Sequence, residues 1–168
     1  MRIASLFLLL LVAGCGYHSP GHSDEWVGGE ARLVYVQLFV NSTTEPYLEN
    51  YMTDALVAEL SRSRSLELTE NSGLAELRLV GEVKDFASNA LAYGSTDQIT
   101  QYRATMTVAV RLLRGNSSEI VWQQTMHGTQ DYPAARNKNL QLEGQTLAAN
   151  QVSQRLAEDI LARMLNSF

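Results

Sequence analysis

One cysteine and three histidines are all the thiol and imidazole chemistry that this sequence holds. His18 and His22 lie four residues apart with Asp24 close behind. At that spacing two imidazoles and a carboxylate could share a metal ion if a helix held them. A metal site needs several ligands in defined geometry. Pro20, Gly21, Gly28 and Gly29 surround these three, a composition that fixes no such geometry, so no metal is assigned. His127 falls inside a strand pattern with no partner visible by spacing. Serines are numerous, but none sits in a Gly-x-Ser-x-Gly elbow, and no glycine cluster after a strand forms a phosphate loop. The carboxylates fall mostly on helix faces, where solvation is their ordinary role. The sequence therefore points to a protein that is not an enzyme, with no catalytic residue and no cofactor.

The cysteine has a telling position. Arg2 supplies an early positive charge, Ile3 to Ala13 form a short uncharged and mostly apolar run, and Val12-Ala13-Gly14 stand directly before Cys15. This layout resembles a bacterial lipoprotein signal peptide ending in a lipobox. The run is too short for a comfortable bilayer span, which takes about 20 residues. Residues 1–14 are expected to be a removable leader, after which Cys15 carries acyl chains such as palmitate. The alternative is an ordinary secretory leader followed by an incidental thiol. Several acyl chains give stable membrane anchoring, whereas one gives only marginal binding.

Loss of residues 1–14 leaves 154 of 168 residues and takes the formal charge from −5 to −6, because Arg2 leaves with them. That length suits one domain, and an acidic chain with dispersed Lys and Arg gives no support for nucleic-acid binding. Residues 15–30, rich in Gly and Pro, read as a lipidated tether, and 31–168 as a single α+β domain.

Within the domain, Ala31 to Val40 form a nearly continuous apolar run, expected to be a strand buried on both faces. Pro46 suits a first helical turn. Leu48, Met52, Leu56 and Leu60 then repeat every four residues as the stripe of an amphipathic helix. A short strand at Leu66 to Thr69 precedes a half-buried strand, in which Leu77, Leu79 and Val83 alternate with Arg78, Val80, Glu82 and Lys84. Ser88 to Asp97 reads as a loop. Next comes the clearest strand, with Tyr102, Ala104, Met106, Val108, Val110 and Leu112 on one face. Gln101, Arg103, Thr105, Thr107 and Arg111 occupy the other. This polar face is either a plain solvent face, as is ordinary in antiparallel sheets, or a surface that docks against a partner protein. Gly115 to Ser118 form a hairpin turn into a strand marked by Ile120, Trp122 and Met126. Trp122, Tyr102 and Met106 fit a core or, alternatively, an apolar lipid cavity. After a polar loop at Ala134 to Asn139, a helix from about Glu143 to Leu165 carries Val152, Leu156, Ile160 and Met164 on one face. Glu143 near its start and Arg163 near its end suit the helix dipole. The expected architecture is two helices packed on one face of a mostly antiparallel four- to five-stranded sheet.

Several stretches together resemble a known family. They are the lipobox running into Cys15-Gly16-Tyr17-His18, Phe39-Val40-Asn41-Ser42-Thr43 before a helix, and Ala75-Glu76-Leu77-Arg78-Leu79-Val80-Gly81-Glu82-Val83. Tyr102-Arg103-Ala104-Thr105-Met106-Thr107-Val108 and Ile120-Val121-Trp122 complete the set. Their order resembles the outer-membrane lipopolysaccharide-assembly lipoproteins (LptE-like) across essentially the whole mature chain. The resemblance implies a non-enzymatic partner of the large β-barrel translocon (LptD-like). Such a partner sits largely inside the barrel as a plug, assists its assembly and binds lipopolysaccharide on its way to the outer leaflet. Gly16, rather than Asp, after Cys15 is compatible with the outer-membrane sorting this implies, with the domain facing the periplasm.

Lipopolysaccharide carries phosphates that basic side chains can pair. The loops Ser88 to Asp97 and Ala134 to Asn139 should share one end of the sheet, because the intervening strands form a hairpin. Arg136 and Lys138 in the second loop are thus candidates for phosphate contact, or else residues of a solvated loop. The first loop has no Lys or Arg, a departure from the basic charge that members of the family can present there. Two other readings stand beside this one: a stand-alone envelope lipoprotein that binds or carries an amphiphile, and an envelope hydrolase with a dispersed site.

Overall fold

Three long strands set the frame of the domain in the computed structural model, which describes residues 28–166. In chain order the elements are β1 (Leu33–Val36), β2 (Val40–Asn41), α1 (Leu48–Arg62), β3 (Glu67–Leu68), β4 (Leu77–Tyr93), β5 (Ile99–Arg114), β6 (Ile120–Pro133) and α2 (Lys138–Leu165). Strands β4, β5 and β6 form an antiparallel meander. β1 and β2 both pair parallel to the free edge of β4, and β3 pairs parallel to β1. Parallel neighbours need a crossover connection, usually a helix, and α1 supplies the one between β1 and β3. The fold is α+β, and the sheet is open and mixed with six strands. Its two-residue strands β2 and β3 carry it past the expected four or five.

Both helices pack on one sheet face. Leu48, Met52, Leu56 and Leu60 of α1 are at most 1% exposed, and so are Met106, Val108, Val110 and Leu112 of β5 and Val152, Leu156, Ile160 and Met164 of α2. Burying an aliphatic side chain of this size is worth about 1.5–3 kcal/mol, so the two stripes tie the helices to the sheet. At Gly128 of β6 the approach is tight: an added Cβ would stand 2.9 Å from both Leu156 Cγ and Val152 Cγ1. Trp122 packs against this core, while Tyr102 stacks on Tyr132 with ring centroids 5.6 Å apart. Tyr102 and Tyr132 belong to a smaller cluster with Phe86, Ala104 and Ala148.

Four sequence expectations are corrected. The run Ala31 to Val40 is not one doubly buried strand. Its chain breaks between β1 and β2, where Phe39 is buried while Leu38 and Val40 remain 56% and 57% exposed. Residues Ser88 to Tyr93 are not loop but the last part of β4, with Ser88, Asn89 and Ala90 registered on Ala104, Arg103 and Tyr102. Pro46 precedes the helix, which starts at Leu48 behind Tyr47 in a left-handed conformation (φ 69°). The second helix starts at Lys138 rather than near Glu143. Its N-cap is Asn137, whose Oδ1 accepts hydrogen bonds from the backbone N–H of Asn139 (2.8 Å) and Leu140 (3.4 Å), as caps of this type do. Glu143 therefore lies past the first turn, where the dipole acts most, while Arg163 does occupy the last turn.

Candidate functional site

Because both helices cover one side of the meander, the side chains that alternate away from them form a sheet face that no described element covers. Registered residues stand side by side on it. At one end are Asn89, Arg103 and Asp131; then Ala87, Thr105 and Thr129; then Asp85, Thr107 and His127. Further along come Glu82, Ala109 and Thr125, and then Val80, Arg111 and Gln123. Gln101 stands at the end of this face between Ala92 and Pro133. The five polar residues of the sequence pattern are thus brought onto one surface.

The two halves of this surface differ in how their polar groups are satisfied. Near the turn between β4 and β5, Arg103 donates to both oxygens of Asp131, Nε to Oδ1 at 2.6 Å and Nη2 to Oδ2 at 2.8 Å. That hydrogen bonding, with the guanidinium charge behind it, lowers the Asp131 pKa and raises that of Arg103. Thr107 Oγ1 and His127 Nδ1 are hydrogen-bonded at 2.9 Å. His127, without a visible partner in the sequence, thus finds one across the sheet. In the other half, Glu82 accepts from the Ser42 hydroxyl at 2.7 Å and lies 3.6 Å from Lys84 Nζ; the Ser42 bond first, and then the Lys84 charge, hold its carboxyl below the usual range. A trough of about 980 Å³ runs over this half, bordered by Gln37, Val40, Arg78, Val80, Arg111 and Gln123 among others.

Arg136 and Lys138 lie at the opposite end from the β5–β6 turn. The two loops predicted to share an end do meet: the Ala134 N–H donates to the Thr100 carbonyl at 2.9 Å. Arg136 borders a cleft of about 320 Å³ with Gln98, Thr100, Tyr102 and Gln141. Lys138 is the first residue of α2, and both cations are exposed. The Tyr132 hydroxyl, hydrogen-bonded to Ser88 Oγ at 2.5 Å, pins β6 to β4 beneath this end. Cys15, His18, His22 and Asp24 lie outside the described residues. Among the described residues, no three His, Cys, Asp or Glu side chains are grouped to hold a metal ion.

Sequence reasoning missed Arg78 and Asp131 as members of this face. Arg78 had a signal, since it alternates with Leu77 and Leu79; Asp131 had none until its register with Arg103 was known. What this surface can do chemically is bind: it offers forked guanidinium donors, carboxamides and hydroxyls on a rigid ladder.

The lipopolysaccharide-assembly (LptE) family model matches residues 31–164. The chain belongs to that family. Solved structures share the fold of this chain. A Xanthomonas campestris protein superposes with TM-score 0.59 at 12% identity, over 83% of this chain and 86% of its own. Lipoprotein B of Nitrosomonas europaea gives 0.52 at 13%, over 79% and 81%. The rare lipoprotein B of Shewanella oneidensis gives 0.50 at 13%, over 77% and 92%. At such identities the likeness is one of fold. No curated protein matches the sequence significantly. The family's work is lipopolysaccharide assembly. No helix among the described residues is long and apolar enough to cross a membrane.

Proposed function

We propose that this LptE-family chain is anchored in the outer membrane through acylated Cys15, faces the periplasm, and forms a complex with the lipopolysaccharide translocon β-barrel (LptD-like). In it the chain aids assembly of the barrel and insertion of lipopolysaccharide into the outer leaflet, by binding and without catalysis. Residues 1–14 act as the signal peptide, 15–30 as a lipidated tether and 31–168 as the one domain. The family match over residues 31–164 carries this reading. The uncovered face with Gln101, Arg103, Thr105, Thr107 and Arg111 supports it, because it offers a rigid polar surface of the kind that a barrel wall or its loops can meet. Arg136 and Lys138 are proposed to pair with lipopolysaccharide phosphates by charge-assisted hydrogen bonds.

The test is a mild-detergent extraction of the full-length lipidated chain from outer membranes. Recovery of a large β-barrel in near-equal amount supports the complex; recovery of the chain alone removes it. C15S should release the chain from the membrane fraction, since one or more acyl chains supply its anchoring.

A further inference from the structure

The open sheet face carries two arginines that form no ion pair with a carboxylate among the described residues. Arg111 stands opposite Val80, and Arg78, two residues from Val80 on the same strand, is its diagonal neighbour. Diagonal side chains on adjacent strands are within mutual reach. Among the described residues the ion pairs are Arg62–Glu59, Lys84–Glu82, Arg103–Asp131 and Arg114–Glu119, so neither Arg78 nor Arg111 has a carboxylate within pairing distance. The Nε of Arg78 is buried and has no hydrogen-bond partner. A buried donor left unmade is costly. Glu82, the acid nearest in register, is engaged first by Ser42 and Lys84 and feels the Arg111 charge only as the weakest of its neighbours, so one carboxylate stands among three cations, Arg78, Lys84 and Arg111. An acidic protein thus keeps a positive patch in this trough.

We propose that this half of the face is a docking site for an acidic, extended segment of a partner protein, whose Asp or Glu carboxylates are forked by Arg78 and Arg111. The inference rests on the partner-protein reading above and narrows it to one half of the face. Three observations select a carboxylate-bearing polypeptide. Guanidinium groups match planar carboxylates bidentately. The trough, of about 980 Å³, is mixed, with the carboxamides of Gln37 and Gln123 and the apolar Val40 and Val80 beside the arginines, which suits alternating side chains rather than a compact ion. Backbone N–H groups, which phosphate sites commonly recruit at helix N-termini and nests, are here in the middle of the sheet and engaged in its ladder. The exposure of Val40, otherwise without a role, becomes a contact.

The experiment uses the full-length lipidated chain in detergent micelles and a short fluorescent peptide alternating glutamate and serine, followed by anisotropy. Wild type should bind it with an affinity that falls as salt rises. R78Q/R111Q should bind at least about tenfold more weakly, since charge-assisted hydrogen bonds are lost. R78K/R111K, which keeps charge but not the fork, should fall between. R155Q, which removes an exposed arginine of α2 on the other side of the sheet, should change binding by less than about twofold. Circular dichroism melting of each variant shows that it is folded, and R111Q alone, at an exposed position, serves if the double variant is not. No binding by wild type, equal binding by R78Q/R111Q, or full displacement by inorganic phosphate at constant ionic strength would each overturn the proposal, the last by making this a small-anion site. These outcomes are separate from the barrel test. A wild-type chain that recovers the barrel but ignores the peptide removes this inference alone; one that binds the peptide through Arg78 and Arg111 but comes out of membranes alone removes only the barrel.

Discussion

Gly81 carries the ring of Phe39, and its replacement by alanine should unpick the edge of the sheet. An added Cβ would fall within that ring, 2.7 Å from Cδ1 and closer still to Cε1 and Cζ. The ring cannot yield cheaply. It is 3% exposed, in the break between β1 and β2, where the Phe39 backbone N–H donates to Thr53 Oγ1 of α1 at 3.0 Å. Overpacking costs about 1–3 kcal/mol, and full expulsion of the ring would approach the cost of Phe39→Ala, about 3–5 kcal/mol. G81A should therefore destabilise the domain by about 2–3 kcal/mol. For a domain of this size that lowers Tm by roughly 5–10 °C. The assay is thermal and urea unfolding of wild type, G81A, F39A and F39A/G81A. With the ring absent the clash is gone, and alanine in a strand is no worse than glycine, so the double variant should be at least as stable as F39A. G81A within about 0.5 kcal/mol of wild type, or strictly additive effects in the cycle, would refute this account of the edge.

Gly128→Ala should cost about 1–3 kcal/mol by pushing α2 off β6, because the new Cβ would stand 2.9 Å from Leu156 Cγ and Val152 Cγ1; urea unfolding reads this. Tyr132→Phe removes the 2.5 Å hydrogen bond to Ser88 and should lose about 0.5–1.5 kcal/mol, with S88A adding little further. Glu76 holds the start of β1 by accepting from the backbone N–H of Arg32 (2.6 Å) and Leu33 (3.0 Å). The Leu33 and Arg32 bonds lower its pKa in the folded chain. Its contribution is therefore present above the unfolded carboxylate pKa and lost as pH falls through the depressed folded value. Stability measured against pH should fall less steeply over that acid range in E76Q than in wild type.

Where burial decided structure, the sequence was legible. The β5 alternation gave the helix-facing and open sides of the sheet correctly, and the four-residue repeat of α1 named its buried stripe. It failed where tertiary contacts overrule local preference. Ser88 to Tyr93 carry loop-like Ser and Asn, but cross-strand pairing with β5 and the Tyr132 hydroxyl hold them extended; strand propensity is largely a matter of such neighbours. Apolar Leu38 and Val40 look like core, yet only Phe39 turns inward, because Gly81 leaves it room. On the open face, composition offered five polar residues of equal weight. Only register separates Arg103, forked onto Asp131, from Arg78 and Arg111, which form no ion pair and share the single nearby carboxylate of Glu82 with Lys84. The lipobox and the His18–His22 pair lie outside the described residues, and their roles remain those expected from the sequence.

The most direct test of the central claim is photo-crosslinking in intact cells from Thr105, replaced by p-benzoylphenylalanine at the middle of the open face. Thr105 sits between Ala87 and Thr129 on the ladder, so the probe projects toward whatever covers that surface. The account expects a light-dependent adduct containing a large outer-membrane β-barrel. A lipidated, folded chain that yields no barrel adduct from this position would contradict it.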